Sequence, residues 1–210
     1  MKATDHVKRA AYNKAVDYLL EDPVSHVRKI MDLLDKAAPD DLFPSQRKAF
    51  RTAIDSQNNW YQLIMKVLDL NPAVRDALLR TFIVDANLMA WPEQEKSRVK
   101  HGCNIPWAVL MDPTSACNLH CTGCWAAEYG HNLNLSYDEL DAIIRQGKEL
   151  GTHVYIYTGG EPLMRPDIYE LVAHAASRGL RPVFGSNGTL ITPEVAVRLK
   201  EAGACAMGIS

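Results

Sequence analysis

Apolar residues recur every three to four positions through the first ninety residues, a spacing that predicts helices. Val7, Ala10, Ala11, Ala15, Tyr18 and Leu19 form one stripe, with Lys14 as its polar interruption. Glu21-Asp22-Pro23 ends that stripe, because proline suits a first helical turn and opposes helix at the residue before it. Val24, Val27, Ile30, Met31 and Leu34 form a second stripe, broken at Ala38-Pro39-Asp40-Asp41. A third helix is expected from about 44 to 70, burying Phe50, Ile54, Tyr61, Ile64, Met65 and Leu68. A fourth follows Asn71-Pro72 to about residue 90, carrying Val74, Leu78, Phe82 and Ile83. Four amphipathic helices joined by short proline-containing turns predict an all-α N-terminal domain, a small bundle that caps the next domain or recruits a partner. Trp60, Tyr61 and Trp91 are its large anchors, and Arg28-Lys29 and Arg47-Lys48 read as solvated faces. Residues 91–104 are polar, charged and weakly periodic, so the junction is expected there, dividing the chain into 1–100 and 101–210.

Beyond residue 105 the period changes. Residues 107–111 form a short continuous apolar run, as in a strand buried on both faces, closed by Asp112-Pro113. Ser136 and Glu139 have the spacing of a capping box, with Leu140, Ile143, Ile144 and Gly147 on one face of the helix they start and Gly151 as its stop. Residues 154–157 form a second strand, Pro166-Asp167 opens a second helix, and 181–184 form a third strand. Thr192-Pro193-Glu194 reads as an N-cap, a first-turn proline and an acidic first turn. The helix they start ends at Gly203, and residues 204–209 form a fourth strand. Strands alternating with helices predict a parallel sheet with right-handed crossovers. Such folds gather their chemistry at the C-terminal strand ends. Here those ends carry a cysteine loop, Gly159-Gly160-Glu161, Ser186-Asn187-Gly188 and Ser210.

The 210 residues suffice for one large or two small domains, and their apolar content is ordinary. The net charge of −2 argues against a nucleic-acid binder built on a basic surface. No apolar run reaches the length of a membrane span, and the N-terminus leads into a mixed-charge helix instead of a secretory apolar segment. A cytoplasmic protein is the expectation.

The chemistry is concentrated in Cys117, Cys121 and Cys124, three thiols within eight residues. Thiols so close are poor disulfide partners, but they can converge on one metal centre. Iron–sulfur clusters are held by such short runs, usually with a fourth cysteine. None lies nearby, and a four-iron cluster on three thiolates leaves one iron free for another ligand. Zinc is the competing reading, with His120 completing the set, although adjacent His120 and Cys121 are awkwardly placed for one ion. A ferredoxin-like carrier with Cys103 as fourth ligand is another, but it does not predict the alternating strands and helices. Cys103 otherwise reads as an ordinary thiol, and Cys205, in a small apolar context, as a structural one.

The Cys-x3-Cys-x2-Cys spacing after a first strand, with Gly159-Gly160-Glu161 one βα unit later, resembles the radical S-adenosylmethionine (radical SAM) superfamily. The resemblance covers about residues 107–210. It implies an α/β fold, a partial (βα)6-type TIM-like barrel of which four parallel strands are present, and hence a fragment of a longer core. It implies that Cys117, Cys121 and Cys124 ligate a [4Fe–4S] cluster whose fourth iron chelates S-adenosylmethionine. Reductive cleavage of that cofactor would generate a 5′-deoxyadenosyl radical that abstracts hydrogen from a substrate. By the same resemblance Gly159, Gly160 and Glu161 bind the methionyl ammonium, Ser186 and Asn187 contact the methionyl end, and Ser210 meets the ribose. A reduced flavodoxin or ferredoxin is the implied electron donor. The family's aromatic residue just before the third cysteine is replaced by Gly123, with Trp125 after it, so the adenine contact is unassigned. His131 and Tyr129 receive no role. A non-catalytic zinc or iron–sulfur module is the alternative function.

Overall fold

The computed structural model describes every residue except 1, 2, 38, 41, 125, 127–129 and 131. The chain divides into two compact units, Met1–Asp85 and Ala86–Ser210.

In the first unit, helices α1 (Ala3–Glu21), α2 (Pro23–Ala37), α3 (Pro44–Ser56), α4 (Asn59–Leu68) and α5 (Pro72–Ala77) follow the expected breaks, with two differences. The expected third helix is two helices. Gln57 takes a left-handed conformation (φ 47°), and the Asn58 side chain accepts from the Trp60 and Tyr61 amides, so a new N-cap interrupts the stripe. After α5 the chain widens into a π-helical stretch, Leu78–Met89. Of the breaker between α2 and α3, Ala38 and Asp41 lie outside the described residues. The unit's core is Val27, Met31, Ile54 and Tyr61, flanked by Leu19, Leu34 and Met65. Val7, Val24, Phe50, Val74 and Ile83, expected inside, are exposed, as is Trp60. The basic pairs are not merely solvated: Arg28 meets Asp55 at 2.6 Å and Arg47 faces Asp35 at 3.6 Å.

The second unit begins with a correction. Residues expected to form a linker make helix α6 (Trp91–His101), with Pro92 in its first turn and Gly102 in the left-handed conformation at its end. Its polar character hid it: only Ser97 is buried along its length. Strands β1 (Ala108–Thr114), β2 (Val154–Gly159), β3 (Arg181–Ser186) and β4 (Ala206–Ile209) then form one parallel sheet in sequential order. This is the order of the first four strands of a barrel. Strand β1 continues past its expected stop, with a register shift between Met111 and Thr114. Pro113 has no amide proton for the ladder, so the shift falls where pairing is chemically impossible.

Helices α7 (Tyr137–Leu150), α8 (Ile168–Ser177) and α9 (Pro193–Ala202) connect the strands. Ser136 and Glu139 form the expected capping box, and Thr192 accepts from the Val195 amide at the start of α9. The hydrophobic core joins Leu140 and Ile144 of α7, Ile168 and Leu171 of α8, Leu199 of α9 and the strand residues Met111, Tyr155, Tyr157 and Phe184. Strand side chains alternate between faces. Leu110, Ile156, Thr158 and Gly185 therefore point to the opposite face, where Leu110 is exposed. Gly147 lets β2 seat under α7, since a Cβ there would lie 2.1 Å from the Tyr155 hydroxyl oxygen.

Candidate functional site

The parallel sheet gives the molecule a polarity that sorts the cysteines. Cys117, Cys121 and Cys124 follow the C-terminal end of β1, whereas Cys103 precedes the strand. Seven residues of strand separate the two ends by about 20 Å, at roughly 3.3 Å per residue. Cys103 thus enters the sheet from the end away from the Cys loop. Cys205 precedes β4 and lies on the same opposite rim, its sulfur 3.5 Å from the Gly203 carbonyl oxygen.

The Gly159-Gly160-Glu161 turn lies directly against the Cys loop. The Gly160 amide donates to the Thr114 carbonyl at 3.0 Å, and the Glu161 amide to the Ala116 carbonyl at 2.7 Å. A Cβ on Gly160 would stand 2.2 Å from the Ala116 carbonyl oxygen and 2.5 Å from that of Ser115. A Cβ on Gly159, whose φ is +106°, would stand 2.5 Å from the Thr114 oxygen. The glycine pair thus lets two loops of the same chain approach, where the sequence suggested close approach to a ligand.

Glu161 is the most enclosed of the expected site residues. It is 0% exposed. Its carboxylate accepts from the Leu163 amide at 3.1 Å, from the Ser186 hydroxyl at 3.0 and 3.1 Å, and from the Asn187 amide at 2.9 Å. The side chain is turned into the protein, where it ties the end of β2 to the end of β3. Its donors in this structure are backbone amides and a hydroxyl.

The loop after β3 in turn reaches the first cysteine. The Asn187 side-chain amide donates to Asn118 Oδ1 at 3.0 Å and approaches Cys117 Sγ at 3.9 Å, and the Leu119 amide lies 3.4 Å from the same sulfur. Asn118 donates to the Thr189 hydroxyl at 2.8 Å, and the Thr189 amide donates back to Asn187 at 2.9 Å. The Ser210 amide donates to the Ser186 carbonyl at 3.2 Å. Six expected residues, Cys117, Gly160, Glu161, Ser186, Asn187 and Ser210, thus connect along one rim.

The three sulfurs themselves are not drawn together. Among the described residues no three His, Cys, Asp or Glu side chains are gathered as metal ligands. Cys121 is exposed while Cys117 and Cys124 are half-buried. Metal ligands on a loop commonly converge only when the metal binds, because its own bonds supply the free energy of ordering. The donor set nonetheless suits an iron–sulfur cluster. It is all sulfur, it lies on one loop, and Cys117 already has N–H groups aimed at it, as cluster thiolates do. Trp125, Tyr129 and His131 lie outside the described residues.

Beside this rim is a cavity of about 570 Å³ lined by Leu110, Asp112, Thr114, Ser115, Gly159 and Gly160, among others. Asp112 Oδ1 is buried in it with no hydrogen-bond partner, and burial raises the Asp112 pKa. The spacing of motifs along the chain did not single out Asp112, Asn118, Arg165 or Thr189. Asp112 and Asn118 flank the motifs closely enough to have been suspected. Arg165 and Thr189 reach the Cys loop and its neck through contacts remote in sequence, which local spacing does not encode.

Residues 111–210 match the family model described as the radical SAM superfamily. Over 108 residues the chain is 44% identical to the AdoMet-dependent heme synthase of Nitratidesulfovibrio vulgaris, covering 50% of this chain and 28% of that protein. Over 105 residues it is 38% identical to the GTP 3′,8-cyclase of Geobacter sulfurreducens, covering 48% and 32%. The chain thus spans about a third or less of the length of these relatives. The crystal structure of BtrN in complex with AdoMet and 2-DOIA overlaps 49% of this chain and 44% of its own, at 18% identity and a TM-score of 0.45. Matching family model, curated relatives and a sequential parallel sheet whose Cys loop follows β1 agree on one assignment: through residues 111–210 this chain belongs to the radical SAM superfamily.

Proposed function

We propose that the carboxyl rim of the sheet holds a [4Fe–4S] cluster on Cys117, Cys121 and Cys124, with S-adenosylmethionine beside it, as the core of a radical SAM enzyme. When bound, the pair supplies one-electron cleavage of the sulfonium and a radical that abstracts hydrogen from a substrate. The observation that carries the reading is the linkage of the Cys loop, Gly159-Gly160-Glu161 and Ser186-Asn187 by Glu161 and Asn187. Strand ends tied together around a thiol are pre-arranged for a ligand that all of them touch.

In this reading the chain's own residues bind and orient. Gly159 and Gly160 keep the turn thin enough to sit beside the Cys loop. Glu161 acts through Ser186 and Asn187, holding them for the methionyl end of the cofactor instead of touching it. Asn187 donates toward Cys117, while Ser210 stands ready for the ribose. Hydrogen bonds to a cluster's sulfurs tune its reduction potential, so Asn187 is expected to set part of that potential. A reduced flavodoxin or ferredoxin is the proposed electron donor, and the cytoplasm the proposed compartment. Among the described residues no helix is long and apolar enough to cross a membrane.

The test is anaerobic reconstitution of the chain with iron and sulfide. About four irons and four sulfides per chain, with thiolate-to-iron charge-transfer absorption, are expected. Adding S-adenosylmethionine should change the electron paramagnetic resonance spectrum of the reduced cluster. Stoichiometric zinc without a chromophore would favour the non-catalytic module and remove the proposal.

A further inference from the structure

Arg165 lies outside every motif that identified the site, yet it is one of the few buried charged side chains among the described residues. It follows the short 3-10 turn Pro162–Met164 that leads out of Gly159-Gly160-Glu161. Its side chain is 8% exposed. The guanidinium is used in two directions. Nε and Nη2 donate to the two carboxylate oxygens of Asp167, at 2.6 and 2.8 Å. Nη1 donates to the Pro113 carbonyl at 2.9 Å and to the Leu135 carbonyl at 2.5 Å.

Those two carbonyls mark the neck of the Cys loop. Thr114 and Asn134 form an antiparallel bridge there. The Leu135 amide donates to Pro113 at 3.2 Å, the Ser115 amide to Leu133 at 2.8 Å, and the Leu133 amide to the Ser115 hydroxyl at 2.9 Å. All three clustered cysteines lie between the two residues that Arg165 grips. Closing so long a loop costs conformational entropy, and few of its described residues are buried to offset that cost. The neck therefore carries the closure, and Arg165 bonds to both of its sides.

We propose that Arg165 is a positioning residue that clasps the base of the Cys loop and so sets where its thiols stand relative to the other strand ends. The proposal rests on the cluster reading for its purpose, but not for its geometry. Only arginine satisfies that geometry. One nitrogen reaches two carbonyls while the rest of the planar fork is held bidentately by Asp167. A lysine ammonium in the same place has no fork for Asp167 to orient. The clasp also joins the loop to the segment following Gly159-Gly160-Glu161, so the two parts of the site share one anchor.

The experiment is competitive alkylation of the reduced, metal-free chain with iodoacetamide, each thiol followed by peptide mass spectrometry. Cys117 and Cys124 are half-buried and report the loop, while Cys205 on the opposite rim is the internal reference. In Arg165→Gln, Cys117 and Cys124 should react at least about tenfold faster, the change expected for losing even one hydrogen bond from a charged donor. Cys205 should stay within about twofold. Arg165→Lys should resemble Arg165→Gln, because charge alone does not restore the fork. Asp167→Asn keeps the guanidinium but removes its orienting carboxylate, and should show the same selective rise even if the Arg165 variants fail to fold. A parallel rise of Cys205 would reduce Arg165 to a general stabiliser, and unchanged Cys117 and Cys124 rates would overturn the clasp. Reconstitution separates the two readings. A wild-type chain that takes up no cluster refutes the proposed function but leaves the alkylation rates, and the clasp they test, standing. Equal iron content and identical resonance spectra in wild type and Arg165→Gln would refute the clasp alone.

Discussion

Gly160→Ala is the sharpest perturbation available, because a single methyl group would enter the seam between the Gly159-Gly160-Glu161 turn and the Cys loop. The added Cβ would stand 2.2 Å from the Ala116 carbonyl oxygen, 2.5 Å from that of Ser115 and 2.6 Å from the Ala116 carbonyl carbon. All three are backbone atoms, so no side chain can rotate away. Relief requires the two loops to separate by about 1 Å, and an intrusion of this kind costs roughly 1–3 kcal/mol. The same separation stretches the hydrogen bonds from the Gly160 and Glu161 amides, now 3.0 and 2.7 Å long. Each contributes about 0.5–1.5 kcal/mol. The expected sum is about 3–4 kcal/mol, which for a chain of this size lowers the melting temperature by roughly 10 °C. Gly185→Ala is the control, since its Cβ would meet only the Thr158 side chain, no nearer than 3.6 Å. It should be neutral or slightly stabilising, because alanine restricts the unfolded chain more than glycine does. The assay is calorimetric melting of the metal-free chain, followed by iron uptake. A Gly160→Ala variant melting within about 2 °C of wild type would refute the reasoning, as would an equal fall in Gly185→Ala.

Further outcomes follow from the same geometry. Glu161→Gln places an amide nitrogen among the donors of Ser186, Asn187 and Leu163, and should cost about 2–3 kcal/mol in chemical denaturation; an unchanged midpoint would show that the buried carboxylate is dispensable. Cys124→Ala should abolish iron–sulfur assembly, whereas Cys103→Ala and Cys205→Ala, on the opposite rim, should retain wild-type iron and sulfide content. Burial raises the Asp112 pKa above its ordinary value of 3.8. The favourable state is therefore the protonated one, fully present below pH 3.8 and lost as pH rises through the folded-state value. Asp112→Asn should accordingly be more stable than wild type at about pH 7, with the gain shrinking on acidification; melting curves across that range check it.

Much of the fold was legible locally. The helix-to-strand change of period near residue 105, the Ser136–Glu139 box and the Thr192-Pro193 start are each written in a few adjacent residues, and a local signal survives without knowledge of what lies across the core. The misreadings have equally physical causes. Helix α6 buries too little to show an apolar stripe. The break between α3 and α4 rests on one asparagine cap inside a continuous pattern. Strand β1 runs on through Pro113 because the sheet absorbs the missing donor with a register shift.

By itself the sequence determined most of the elements, the parallel order of the strands, and that three thiols and a Gly-Gly-Glu turn fall at strand ends, since caps, periods and spacings are properties of neighbouring residues. Only the tertiary structure decided that the glycines make room for another loop, that Glu161 faces Ser186 and Asn187, that Cys103 and Cys205 lie on the far rim, and that Arg165 grips both sides of the Cys-loop neck. Those pairings join residues remote along the chain, and they arise only when packing against a common core brings the strand ends to one side.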